Sequence, residues 1–268
     1  MNHFVQCKEG PVSVLTLKRP PVNALDRTAL QELSEAIENV GSDLESRVLV
    51  LTGGIEGIFC SGGDLKYWRH VQDGRAVSRE GRDVFARIER LPKPTVAAIN
   101  GHVIGDGIAL ALACDLRIVS EGATFRIPEA AYGFIPGWGF IRRLVASVGR
   151  GNASGLLLTG QPVGTHRAQA MGLVNEVVPS DILMDHVMNL SGQLASLSSI
   201  SLRALKCVLL GGDESACFDA VWGKDHWREG IDALLGKRPP VFLSDKVTGT
   251  CCDLGCKEVQ YVTPGESL

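Results

Sequence analysis

The stretch NGHVIGDGIALALACD, from Asn100 to Asp115, decides how this chain is read. A run of β-branched and small apolar residues, TVAAING (Thr95 to Gly101), leads into it, and the apolar IALALA leads out as a helix. Between them Gly105, Asp106 and Gly107 place bare backbone and one acid where a strand gives way to a helix. The amides that open a helix have no intrahelical acceptor and lie at the positive end of its dipole. Such a turn suits an anion or a polarised carbonyl oxygen. IFCSGGDLKYW (Ile58 to Trp68) repeats the arrangement: a strand ends, Gly62 and Gly63 turn the chain, and a helix begins near Asp64. Two independent turns of this kind can aim two amides at one oxygen, the layout of an oxyanion hole.

Outward from these turns the pattern alternates. VSVLTL (Val12 to Leu17) and RVLVLTG (Arg47 to Gly53) read as strands. TALQELSEAIENV (Thr28 to Val40) lies between them with apolar residues at helical spacing, behind Asp26 or Thr28 as cap. The same order recurs after Gly101, where the apolar helix leads to the strand-like LRIVS (Leu116 to Ser120). Repeated β-α units with strands apolar on both faces predict an α/β domain built on a parallel sheet covered on both sides. Beyond Gly139 the period becomes helical, with glycine stops. The expected division is an α/β core over residues 1–180, a helical region over 181–242, and a polar, cysteine-containing surface tail over 243–268.

Composition narrows the function. With 45% hydrophobic residues, 21% charged residues and a net charge of -3, the chain has no basic field for nucleic acid or an anionic membrane. Its apolar runs fall short of the roughly 20 residues that span a bilayer, and MNHFVQCKEG lacks a signal-peptide layout. A cytoplasmic location is expected. Cysteines 7, 60, 114, 207 and 217 stand singly among apolar residues and read as buried, reduced thiols. The three in TCCDLGC lack metal-ligand spacing, so no metal is expected. Dinucleotide, P-loop and serine-elbow fingerprints are all missing. FRIPEAAYGFIPGWG (Phe125 to Gly139) carries Glu129 among Ile127, Tyr132, Phe134, Ile135 and Trp138. A carboxyl in such company loses solvation, its pKa rises, and it becomes fit for proton transfer near neutral pH.

Together RPPVNALD (Arg19 to Asp26), FCSGGDL (Phe59 to Leu65), PKPTVAAINGHVIGDGIALALACDLRI (Pro92 to Ile118), FRIPEAAYGFIPGWG and LTGQPV…GLVNEVV (Leu158 to Val178) resemble the crotonase family of enoyl-CoA hydratases and isomerases. The likeness runs from about Val12 to Phe242. It implies a crotonase-like spiral of stacked ββα units, a helical C-terminal region used in trimerisation, and acyl-CoA thioester substrates, free or on a carrier protein. No separate cofactor is implied, since coenzyme A arrives as part of the substrate; a homotrimer or hexamer is. The thioester oxygen would rest between the backbone N–H groups of Gly63 and Asp106. Asn23, Ala24, Leu25 and Lys66 match where the family holds the CoA moiety. Ser61, Gly62, Asp64, Gly105, Tyr132 and Trp138 fall at further substrate-side positions, with His102 as a neighbour.

The chain also departs from the pattern. Family hydratases use two glutamates; the second matches Glu129, but the first falls on Ala109, whose methyl group neither accepts a proton nor orients water. Asp106 stands in the middle of what is usually three glycines, and an aspartate there is expected to turn toward solvent or a subunit contact. One base and an oxyanion hole suit proton shuttling of the enoyl-CoA isomerase kind. Hydration, decarboxylation, carbon–carbon bond formation, polyketide thioester processing, or acyl-CoA binding without catalysis are the alternatives.

Overall fold

The computed structural model describes residues 3–242, and the expected tail lies outside them. Ten strands make two sheets: β1 (Phe4–Glu9), β2 (Val12–Leu17), β3 (Val48–Gly53), β4 (Gly57–Cys60), β5 (Thr95–Ile99), β6 (Gly101–Ile104), β7 (Leu116–Ser120), β8 (Thr124–Arg126), β9 (Val163–Gly164) and β10 (Glu176–Val178). The six-stranded sheet runs β1-β2-β3-β5-β7-β10 and the four-stranded one β4-β6-β8-β9. Successive pairs β3–β4, β5–β6 and β7–β8 each give one strand to each sheet, so the chain climbs as a spiral. All pairings are parallel except the two edge pairs, β1 with β2 and β8 with β9.

The helices are α1 (Arg27–Ser42), α2 (Leu65–Trp68), α3 (Gly74–Glu89), α4 (Asp106–Leu112), α5 (Phe140–Thr159), α6 (Thr165–Ala170), α7 (Leu183–Ser196), α8 (Ser199–Leu209), α9 (Glu214–Trp222) and α10 (His226–Leu235). Asp26 caps α1, its carboxylate accepting from the Ala29 amide at 2.9 Å. Leu30, Leu33, Ile37 and Val40 then fall on one buried face, as their three- and four-residue spacing requires. The larger sheet is apolar on both sides because both are covered. Val48, Val50, Val96 and Ala98 meet Leu183 and Val187 of α7, while Leu49, Leu51, Ala97 and Ile99 point into the main core.

Two expectations needed correction here. TVAAING is not one strand: it breaks at Asn100 into β5 and β6, which lie in different sheets. The Asn100 side chain makes the corner, accepting from Gly53 N at 3.2 Å and donating to Ile55 O at 2.9 Å. Nor are the five single cysteines uniformly buried thiols. Cys60, Cys114 and Cys217 are, but Cys7 is exposed on the outer edge strand, and Cys207 is disulfide-bonded.

Beyond α7 the helices bury little of themselves. The cluster around Ala204, Cys207 and Cys217 is small. Leu209, Phe218, Trp222, Leu234 and Leu235 are all more than half exposed.

Candidate active site

The site begins with two loops held backbone to backbone. Gly62 has φ +84°, and a Cβ there would lie 2.9 Å from the Ile104 carbonyl oxygen and 3.0 Å from the Asp106 nitrogen. Only glycine allows both the conformation and the approach. Gly105, at φ +53°, has the same need on the other loop, because a Cβ would overlap Oε1 of Glu129. Among the described residues neither the Gly63 nor the Asp106 amide donates to a backbone carbonyl. Two open donors therefore lie on loops in direct contact.

A third segment pins the first loop. Leu25 N donates to Gly62 O at 2.7 Å, Asp64 N to Leu25 O at 2.8 Å, and Ser61 N to Val22 O at 3.2 Å. Asn23, fully buried, donates from Nδ2 to the Phe59 carbonyl at 3.0 Å and accepts from Arg19 N at 2.9 Å. The Arg19 guanidinium bridges Asp26 at 2.6 Å and Asp64 at 2.8 Å. Asp64 also caps α2, accepting from Lys66 N at 2.8 Å. Although burial opposes it, the bonds from Arg19 and the Lys66 and Tyr67 amides hold the Asp64 carboxyl below its ordinary pKa. The side chains of Asn23 and Asp64 thus brace the loop, the backbone of 23–25 is tied to it by hydrogen bonds, and Lys66 is exposed.

Glu129 opens a single 3-10 turn, Glu129–Tyr132, directly after Pro128. Its Oε1 lies against Gly105, and its Oε2 is buried with no hydrogen-bond partner. Burial pushes its pKa up, against a smaller opposing effect of its own amide. Asp106 corrects the expectation that it turns away. Its Oδ1 accepts from the Gly137 amide at 3.0 Å, so the carboxyl is turned inward by a donor on the 133–139 loop that the linear sequence hides. Burial, then the negative charge of Glu129, raises it to about 7, with the Gly137 bond pulling the other way. Ala109 lies one turn further along α4, fully buried.

The remaining positions scatter. Trp138 is buried in the core, edge-on to Phe85 at 5.5 Å between ring centroids and beside Trp68 at 6.4 Å. Tyr132 is 67% exposed and stacks on Phe134, so it lies at the rim in this chain. His102 is exposed and spends Nδ1 on Thr124. Arg19 and the Gly137 amide were missed; the only signal for Arg19 was its place in RPPVNALD. A cleft of about 370 Å³ opens between α2 and α3, lined by Arg27, Tyr67, His70, Val77 and Glu80 among others, and by neither Glu129 nor Asp106. Among the described residues no three His, Cys, Asp or Glu side chains gather as metal ligands. No helix of the described residues is long and apolar enough to cross a membrane.

A spiral of ββα units thus brings two loops with open amides into contact beside a desolvated carboxyl. The chain belongs to the enoyl-CoA hydratase/isomerase family, the crotonase superfamily: the family model of that description matches residues 8–245. It is 33% identical over 253 residues to the 2,3-dehydroadipyl-CoA hydratase of Escherichia coli K12, covering 90% of this chain and 99% of that one. Carnitinyl-CoA dehydratase of Citrobacter koseri is 36% identical over 258 residues, with 90% and 97% covered. Among solved structures, an enoyl-CoA hydratase from Bacillus anthracis superposes with a TM-score of 0.85 at 30% identity, covering 91% of this chain and all of that one. The protein is an acyl-CoA-processing enzyme of this family.

Proposed function

We propose that the enzyme moves one proton on an enoyl-CoA thioester, shifting its double bond, with Glu129 as the base. The observation that carries this reading is the pairing of the unpartnered, buried Glu129 Oε2 with a methyl group at 109 where a second family acid would stand. Glu129 takes a proton from the carbon next to the double bond, and electron density passes through the conjugated system to the thioester oxygen. The Gly63 and Asp106 amides hold that oxygen, and Glu129 returns the proton to a different carbon. Nothing is oxidised and no water is consumed. The backbone at Asn23, Ala24 and Leu25 receives the CoA arm, and Lys66 offers a cation to its phosphates. The exposed apolar faces of α8, α9 and α10 suit contact with further copies of the chain, in a homotrimer or hexamer.

Hydration is the second reading. It is favoured by the inward turn of Asp106, which returns a second carboxyl to the site, and by relatives that are named hydratases. One experiment separates the two. The enzyme is given 3-enoyl- and 2-enoyl-CoA thioesters of several chain lengths in ¹⁸O-labelled water. Conversion of the 3-enoyl to the 2-enoyl ester without label in the product supports the shuttle. Labelled 3-hydroxyacyl-CoA as the main product from the 2-enoyl ester replaces it with hydration.

A further inference from the structure

We infer that Asp106 serves the site as a neutral carboxylic acid, so that the oxyanion hole accepts an enolate only while this side chain keeps its proton. The inference rests on the enolate reading above. One residue supplies both the proposed oxyanion amide and a carboxyl near enough to Glu129 to feel its charge. Its Oδ1 is held by the Gly137 amide at 3.0 Å. On α4 it occupies the first position, and Gly62 crosses it so closely that a Cβ would sit 3.0 Å from its nitrogen.

The cations packed against the 133–139 loop, Arg82 and Arg143, lie at Gly139, and Arg143 is paired with Glu89. From β4 comes Cys60, whose thiol burial holds at about 12 and whose Sγ lies 3.2 Å from the Asn23 carbonyl oxygen. The 3-10 turn brings Glu129, itself an acid, and the 133–139 loop brings the Gly137 amide. None of the influences on Asp106 comes from a Lys, Arg or His among the described residues. An ionised Asp106 would set a full negative charge beside the oxygen on which the enolate charge gathers, within a desolvated site where like charges repel strongly. Protonated, the same side chain is uncharged and harmless to that oxygen. Glu129 needs the opposite condition, since only its carboxylate is a base. The two acids therefore bound activity from both sides: it rises as Glu129 loses its proton and falls as Asp106 loses its own, near pH 7.

The test uses acetoacetyl-CoA, whose bound enolate absorbs in the near ultraviolet and which needs no turnover. Its affinity is measured from pH 6 to 9 in the wild type, Asp106→Asn and Glu129→Gln. Asparagine retains an oxygen for the Gly137 amide but carries no charge. The ratio of wild-type to Asp106→Asn affinity cancels the ligand's own titration. It is expected to fall about tenfold per pH unit above 7, and about 100-fold by pH 9, as the neutral fraction of Asp106 shrinks. Infrared difference spectra of the wild type should show a carboxylic-acid carbonyl band that vanishes across the same range and is missing in Asp106→Asn. A ratio flat with pH, or a wild-type spectrum without that band at pH 6, overturns the inference. Glu129→Gln should keep a pH-dependent loss of enolate affinity, moved to lower pH because the charge of Glu129 no longer raises Asp106. If it turns over substrate at full rate, the proton-shuttle reading fails while the affinity ratio still decides the role of Asp106.

Discussion

Replacing Glu129 by glutamine tests the reaction most directly. The side chain keeps its shape, and an oxygen can still lie against Gly105, but no base remains. Two features set the size of the effect. Oε2 is buried without a partner, and burial raises the carboxyl's pKa, which makes it a stronger base than a solvated glutamate. Losing a positioned base of that kind should lower turnover roughly 10²–10⁴-fold, or about 3–5 kcal/mol in the barrier. The amides of Gly63 and Asp106 and the loop over 22–25 are untouched, so thioester binding should change by no more than about threefold. Stability should move the other way. The folded-state pKa lies above the unfolded one, so stability is lost as pH rises through the unfolded carboxylate range and stays lost above the folded value. Glutamine removes that cost, and the variant should melt higher than the wild type at pH 8 but not at pH 3. The assay pairs single-turnover rates on the best enoyl-CoA found with calorimetric titration of a saturated acyl-CoA and melting at both pH values. Full turnover in the variant refutes the role of Glu129. Equal losses of binding and turnover would also refute it, by making Glu129 a structural residue.

Ala109→Glu should introduce hydration of 2-enoyl-CoA, read as loss of the conjugated-thioester absorbance, at a stability cost of about 1–3 kcal/mol for overpacking α4; a folded variant with no hydration would show that the position does not face the double bond. Arg19→Ala should cost about 2–3 kcal/mol, because Asp26 and Asp64 both lose their cation, and turnover should fall as the 61–64 loop loosens. Unchanged melting would show that the bridge is idle. Gly62→Ala forces a side chain into positive φ and against the Ile104 carbonyl, and should cost at least about 1–3 kcal/mol together with most of the activity, measured by denaturant midpoint and rate.

Local pattern carried most of the architecture. Apolar runs at Val48–Gly53 and Thr95–Ile99 meant a sheet covered on both sides because each side chain of such a strand must find an apolar neighbour, and α7 and the core supply them. Asp26 or Thr28, and Asp64, were legible as helix starts because capping is a bond between residues only two or three apart, and the caps are Asp26 and Asp64. The glycines at 62 and 105 marked the close approach of two backbones before it could be seen, since no other residue permits it. Long-range choices were not legible. The split of one apolar run at Asn100 into two sheets depends on bonds to Gly53 and Ile55, more than forty residues away. The Arg19 bridge needs the 19–26 and 61–64 segments folded together before its charges can meet. Asp106 is the sharpest case. By residue type it belonged at the surface, and only the Gly137 amide, 31 residues later and brought across by the fold, turns it toward Glu129. Sequence determines which groups are available and what short-range geometry they take; which acids share a site, and how each shifts the other's proton, is decided by distance in three dimensions, on which both desolvation and charge–charge energy depend.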